Sequence, residues 1–192
     1  MAEVEIPDPK EAEEKAADPF TKQVALCVAV YAVVLAVTAL GGSNAGKEMV
    51  MAQQKATNQW SYYQAKVVRE NMYILAADSL ELEIGGGQPN ERLKKLREKM
   101  AEYRQKAEEY KKEKEEIMAE AKMYEHERDV AARRDPYFDY AEVLLQIGIV
   151  LASVSMLSGK KWAFYASLVL AGVGVVLCAN GYGLFVKIPG LE

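Results

Sequence analysis

Between residues 90 and 134 one apolar stripe recurs in alternating steps of three and four: Leu93, Leu96, Met100, Tyr103, Ala107, Tyr110, Ile117, Ala121, Tyr124 and Ala131. Lys114 and Arg128 are the only interruptions of that register. A period of 3.5 residues keeps a seam aimed at one partner helix, the pattern of coiled-coil packing. The remaining positions are mostly Glu, Lys and Arg, so the other faces are solvated. A second stripe lies upstream. Ala56, Trp60, Tyr63, Val67, Ile74, Ala77 and Ile84 step in the same way, with Glu70 and Glu81 as exceptions. Gly85-Gly86-Gly87-Gln88-Pro89 separates the two stripes, and Asn90 is a suitable N-cap for the downstream helix. The spacing predicts an antiparallel helical hairpin over 43–135 with its break at 85–89, in which Leu96 and Met100 face Ala77 or Ile74.

Apolar residues outside this region gather in three blocks. Residues 24–40 carry no charge, and from Phe20 to Gly42 the run approaches the roughly 20 residues that span a bilayer. Its distance from Met1 and its acidic start argue against a signal peptide. Asp18-Pro19-Phe20 reads as a cap, a first helical position and an interfacial aromatic, and Asp135-Pro136-Tyr137 repeats that start before a second run. Ser158-Gly159-Lys160-Lys161 reads as a tight turn, after which Trp162, Phe164 and Tyr165 begin a third run behind an aromatic belt. The predicted organisation is an acidic tail at 1–18, transmembrane helices at 19–42, 136–158 and 162–185, the hairpin at 43–135, and a C-terminal tail at 186–192. The expected fold class is therefore an all-α membrane protein, with three transmembrane helices and a long extramembrane antiparallel helical hairpin, coiled-coil-like, between the first and second.

Small residues mark faces for close helix contact: Ala25 with Ala29, Ala32 with Ala36, Gly148 with Ala152, and Ala171, Gly172 and Gly174. Polar groups in the apolar runs are few. Glu142 belongs at headgroup depth, with an intramembrane proton-carrying role as the alternative. Gln146 lies one turn deeper, and Asn180 is the one amide of the third run, expected to bond backbone or a neighbouring helix.

Charge excludes some partners. Residues 43–135 carry eighteen basic and eighteen acidic side chains, while 1–22 carry three basic against seven acidic, which is the whole net charge of −4. A balanced rod lacks the basic stripe that nucleic acid requires, and it has no polybasic cluster for anionic headgroups. Pro7 and Pro9 break any early helix in the tail.

Catalytic and metal-binding patterns are absent from the sequence. Cys27 and Cys178 sit apart in apolar runs and the single His126 is at an outward helical position. Gly85-Gly86-Gly87 lacks the Lys-Ser/Thr of a phosphate loop, and Glu108-Glu109 and Glu115-Glu116 are solvated surface pairs. The expectation is a protein without enzymatic activity, cofactor or metal.

The first arm has more apolar surface than one partner covers. Tyr62, Tyr73, Ala76 and Leu80 lie off the main stripe, and Met72 and Leu75 lie off both. Trp60, Tyr62, Tyr63, Tyr73 and Leu80 are the candidate partner contacts, since such a helix packs against more than one neighbour. For Trp60, Tyr62 and Tyr63, packing at the base of the hairpin and a recognition face both fit.

The segment Asn58-Gln59-Trp60-Ser61-Tyr62-Tyr63-Gln64-Ala65-Lys66, with Lys160-Lys161-Trp162 downstream, resembles an uncharacterised bacterial family of three-span membrane proteins, domain of unknown function family 4337. The likeness runs through nearly the whole chain. It implies a bacterial inner membrane and no particular activity. Lys160 and Lys161 form the one short loop and carry no acid, which places them in the cytoplasm and the hairpin on the non-cytoplasmic side. The function that fits is a membrane-anchored structural or scaffold protein, or an accessory subunit of a larger membrane complex, acting through oligomerisation and coiled-coil contacts. Its partners would be membrane lipid and further copies or subunits. The alternative is an oligomeric channel or transporter component with Gln146 and Asn180 on a shared pathway.

Overall fold

Nothing in the chemistry of Gly41-Gly42 or Pro136 forces a helix to stop, and neither does. The computed structural model describes residues 18–85 and 91–188, and among them there are three helices: α1 (Pro19–Ile84), α2 (Glu91–Ser158) and α3 (Lys161–Gly183). Each contains an apolar window long enough to cross a membrane. In none of these windows is more than 28% of the residues buried inside the protein, so most of their apolar surface faces outward. An apolar exterior around an apolar interior is stable in lipid and not in water. The chain is an integral membrane protein.

The helix count overturns the expected fold class. No separate extramembrane hairpin stands between the first and second spans. Residues assigned to its first arm are the continuation of α1, and those assigned to its second arm are the first part of α2. A glycine inside a helix costs only about 1 kcal/mol relative to alanine, too little to end a helix held by packing. Pro136 costs about 3 kcal/mol in a helix interior, yet α2 runs through it because the next two side chains, Tyr137 and Phe138, are both buried. Asp135 therefore caps nothing. At the other Asp-Pro pair the start is real: the Phe20 amide donates to Asp18 Oδ1 over 3.3 Å and Pro19 is the first helical residue. The tail before Asp18, the stretch from Gly86 to Asn90 and the last four residues lie outside the described residues.

Two compact units divide the chain. The apolar unit takes Met1–Lys47 and Val130–Glu192. Its core has two clusters. Val24 and Tyr31 of α1 meet Leu145 and Ala152 of α2 and Phe164 and Ala171 of α3; towards the other end Ala45 meets Tyr137, Phe138 and Ala141, with Leu177 and Cys178. Close approach needs missing side chains. A Cβ on Gly174 would lie 3.0 Å from Leu145 Cγ and 3.2 Å from the Ala141 carbonyl, and one on Gly41 would enter the Phe138 ring. Gly148 abuts Ser167 and Ala171 in the same way. Ala25, Ala29, Ala32 and Ala36, by contrast, are all exposed. Gly159 takes φ +67° in the turn before α3, a conformation that side chains disfavour.

The charged unit, Glu48–Asp129, holds the second part of α1 against the first part of α2 in antiparallel register. Ala52, Ala56 and Ala77 of α1 and Leu93, Ala107, Ile117 and Ala121 of α2 are its buried apolar residues. Polar pairs set the register: Gln53 with Arg128 at 2.9 Å, Gln59 with Glu120 at 2.7 Å, Glu81 with Arg104 at 2.7 Å and Glu83 with Arg92 at 2.6 Å. Ile74 and Ala77 consequently share a hollow with Arg104, Ala107 and Lys111, not with Leu96 and Met100 as the stripes alone suggested.

Candidate functional site

Tyr73 of α1 stands between two tyrosines placed two turns apart on α2. Its ring stacks on Tyr110 at 5.7 Å and 17° and leans on Tyr103 at 5.6 Å and 56°. Tyrosine is the wrong shape to close a seam built on alanine, so the helices leave a hollow of about 540 Å³ lined by these three rings with Arg69, Met72 and Ala76. Lysines ring the cluster. Lys66 Nζ lies 4.9 Å from the Tyr110 centroid and 5.1 Å from that of Tyr62, Lys106 is 5.6 Å from Tyr73, and Lys99 is 5.1 Å from Tyr103. Such contacts favour the cation on the ring face.

Lys66 is held on two sides. Its ammonium donates to Glu113, and that carboxylate keeps the lysine above its ordinary pKa, outweighing the partial burial that pulls the other way. Its side chain is only 9% exposed. Lys114 is raised likewise by Glu70. Two other members of the distinctive 58–66 segment, Gln59 and Trp60, also reach α2. The Trp60 indole donates to Glu125 Oε1 over 2.9 Å, Gln59 donates to Glu120, and Tyr63 meets the Trp60 ring edge-on at 5.5 Å. The segment thus fastens α1 to α2 through three polar contacts within one charged unit.

Of the five candidate contact residues, Trp60 and Tyr63 are half-buried beside each other, Tyr73 forms the tyrosine cluster, and Leu80 is half-buried further along α1. Tyr62 is exposed, with Lys66 over its ring. Sequence reasoning missed Tyr103, Tyr110 and Arg69 as neighbours of Tyr73. The available signal was two tyrosines seven residues apart in a seam where leucine or alanine is usual.

A second apolar face lies on the exposed side of α1. Ala65, Val68, Met72, Leu75 and Leu82 recur at steps of three, four, three and seven, and all are exposed, Leu75 at 65% and Leu82 at 85%. No group of three metal-ligating side chains comes together among the described residues. What the arrangement offers is contact surface: an aromatic hollow rimmed by cations and an apolar strip.

The family model described as a domain of unknown function (DUF4337) matches residues 20–184. The chain belongs to this family. The match begins at the second residue of α1 and ends at Leu184, so it takes in all three helices of this DUF4337 member. No curated protein and no solved structure matches the chain.

The polar residues of the apolar unit have mostly local partners. Asn180 Nδ2 donates to the Val186 carbonyl at 2.8 Å and its Oδ1 accepts from the Val186 amide at 2.9 Å, closing the chain after α3. Gln146 is exposed and donates to Glu142 at 3.0 Å.

Proposed function

We propose that this protein is a membrane-anchored scaffold or accessory subunit of a larger membrane complex, and that it acts by oligomerisation. The observation that carries the reading is the exposed strip of Ala65, Val68, Met72, Leu75 and Leu82 on the charged unit. A 3.5-residue apolar repeat on a helix whose opposite face is already paired calls for another helix. Val50 and Met51 extend exposed apolar surface along the same helix. Purification from native membranes followed by mass spectrometry tests the proposal. Stoichiometric co-purification with other subunits or a defined homo-oligomer supports it, and a monomer overturns it.

The membrane is read as the bacterial inner membrane, with Lys160 and Lys161 in the cytoplasm and the charged unit on the non-cytoplasmic side. Single cysteines at Ser79 and Ser158 report this in intact cells. Labelling from outside at Ser79 alone is expected, and labelling at Ser158 alone reverses the orientation.

A second reading, a channel or transporter component, draws support from the Glu142–Gln146 pair on the outer face of an apolar helix. Polar groups facing out of such a helix fit a pathway shared between copies. Asn180, its amide bonded to Val186 backbone, contributes little to such a pathway. Ion conduction by the purified oligomer in planar bilayers, abolished by Gln146→Leu, favours this reading over the scaffold.

A further inference from the structure

At the end of the apolar unit where α3 stops, the chain folds back over α2. Leu184 takes a left-handed turn and its amide donates to the Asn180 carbonyl at 2.7 Å. Asn180 then grips Val186, and the Tyr137 hydroxyl donates to the Val186 carbonyl while accepting from the Ile188 amide at 3.1 Å. These bonds hold a hollow of about 220 Å³ whose walls are Arg133, Tyr137, Leu184, Val186 and Lys187. One water needs only about 10–15 Å³ of such space, so a group of several heavy atoms fits.

The wall carries two cations. Arg133 Nε is buried and has no hydrogen-bond partner among the described residues. A buried guanidinium donor left without an acceptor is costly, and an oxyanion removes that cost. Arg133 and Tyr137 are four residues apart and share a helix face, whereas Asp135 and Asp139 fall on other faces of α2. The rest of the wall is apolar, and the hollow sits beside the C-terminal end of α3, where the chain after Gly183 lies against α2.

We infer that the Arg133–Lys187 hollow binds a phosphate group, with the Arg133 guanidinium donating to the phosphate oxygens and Lys187 adding charge. Basic hollows at the ends of packed membrane helices suit lipid headgroups. The same chemistry would accept free phosphate, and the experiment separates the two sources. Full-length protein is purified in detergent, supplied with phosphatidylglycerol, phosphatidylcholine or inorganic phosphate, and studied by native mass spectrometry and thermal unfolding. Phosphatidylglycerol adducts that survive activation and fall about tenfold in Arg133→Gln, the size of one charge-assisted hydrogen bond, identify a lipid phosphate. Stabilisation by inorganic phosphate without lipid retention, lost in Arg133→Gln, identifies the free ion at the same site. Arg133→Lys keeps the charge but not Nε and is expected to fall partway. Lys187→Gln serves as the second variant should Arg133→Gln lose helicity, and Lys161→Gln, at the turn before α3, should retain full binding. Equal adduct levels and equal melting in wild type, Arg133→Gln and Lys187→Gln overturn the inference.

Discussion

Lys114 of α2 donates a hydrogen bond to the carboxylate of Glu70 on α1. Each is a charged residue interrupting an apolar stripe, and the two interruptions meet. Both side chains are largely withdrawn from solvent, Glu70 at 10% and Lys114 at 22% exposure. A charge in a seam is tolerable when its opposite stands across from it, and this pair specifies which residue of α1 faces which of α2.

Removing one partner should therefore harm more than removing both. Glu70→Gln and Lys114→Gln are each expected to lower the melting temperature of the charged unit, and the double variant to recover part of the loss. A coupling of about 1 kcal/mol is expected from the double-mutant cycle. Strict additivity, measured by circular dichroism, would show that the pair does not set the register.

Alkaline titration should loosen the same unit. Glu113 raises Lys66 and Glu70 raises Lys114, so each folded-state pKa exceeds its unfolded value. That contribution is complete below the unfolded lysine value of about 10.4 and is lost as pH rises through the higher folded values. Helical melting should stay level from neutral pH to about 9.5 and decline beyond about 10.5. In Lys66→Met the alkaline part of the decline should shrink; an unchanged profile refutes the assignment.

Gly172 and Gly174 look alike in sequence and should behave oppositely. A Cβ on Gly174 meets Leu145 and Ala141, whereas nothing lies within 4 Å of one on Gly172. Gly172→Ala is expected to be neutral or to stabilise by up to about 1 kcal/mol through helix propensity. Gly174→Val should destabilise the apolar unit by about 1–3 kcal/mol through overpacking. Unfolding in mixed micelles compares them, and equal effects would mean that the α2–α3 contact is too loose to exclude a side chain at Gly174.

Trp60 and the exposed strip should separate stability from assembly. Trp60 is half-buried and bonded to Glu125 within the unit, so Trp60→Ala should cost about 2 kcal/mol, below the range for a fully buried Trp, and leave the oligomer intact. Met72→Lys with Leu75→Lys should dissociate the oligomer while helix content holds, since both side chains are exposed at 64% and 65%. Dissociation by Trp60→Ala instead, seen by light scattering in mild detergent, would move the contact to the 58–66 segment.

The apolar runs, the two stripes and the charge balance were legible in the sequence because each depends on composition or period alone. The stripe positions are buried or half-buried nearly throughout α2, Lys114 and Arg128 included. Which helix ends were real was not legible. Gly41-Gly42 and Pro136 carry breaking propensities of only about 1–3 kcal/mol, and packing of Phe138 and Tyr137 outweighs them. Register was equally hidden: apolar spacing is satisfied by any slip of seven residues, and it took Glu81 with Arg104 and Glu70 with Lys114 to choose one. The tyrosine hollow and the Arg133–Lys187 hollow join residues far apart in the chain, so only tertiary structure could bring them together. Local period thus decided what each helix is, and non-local contact decided where each one continues and what it faces.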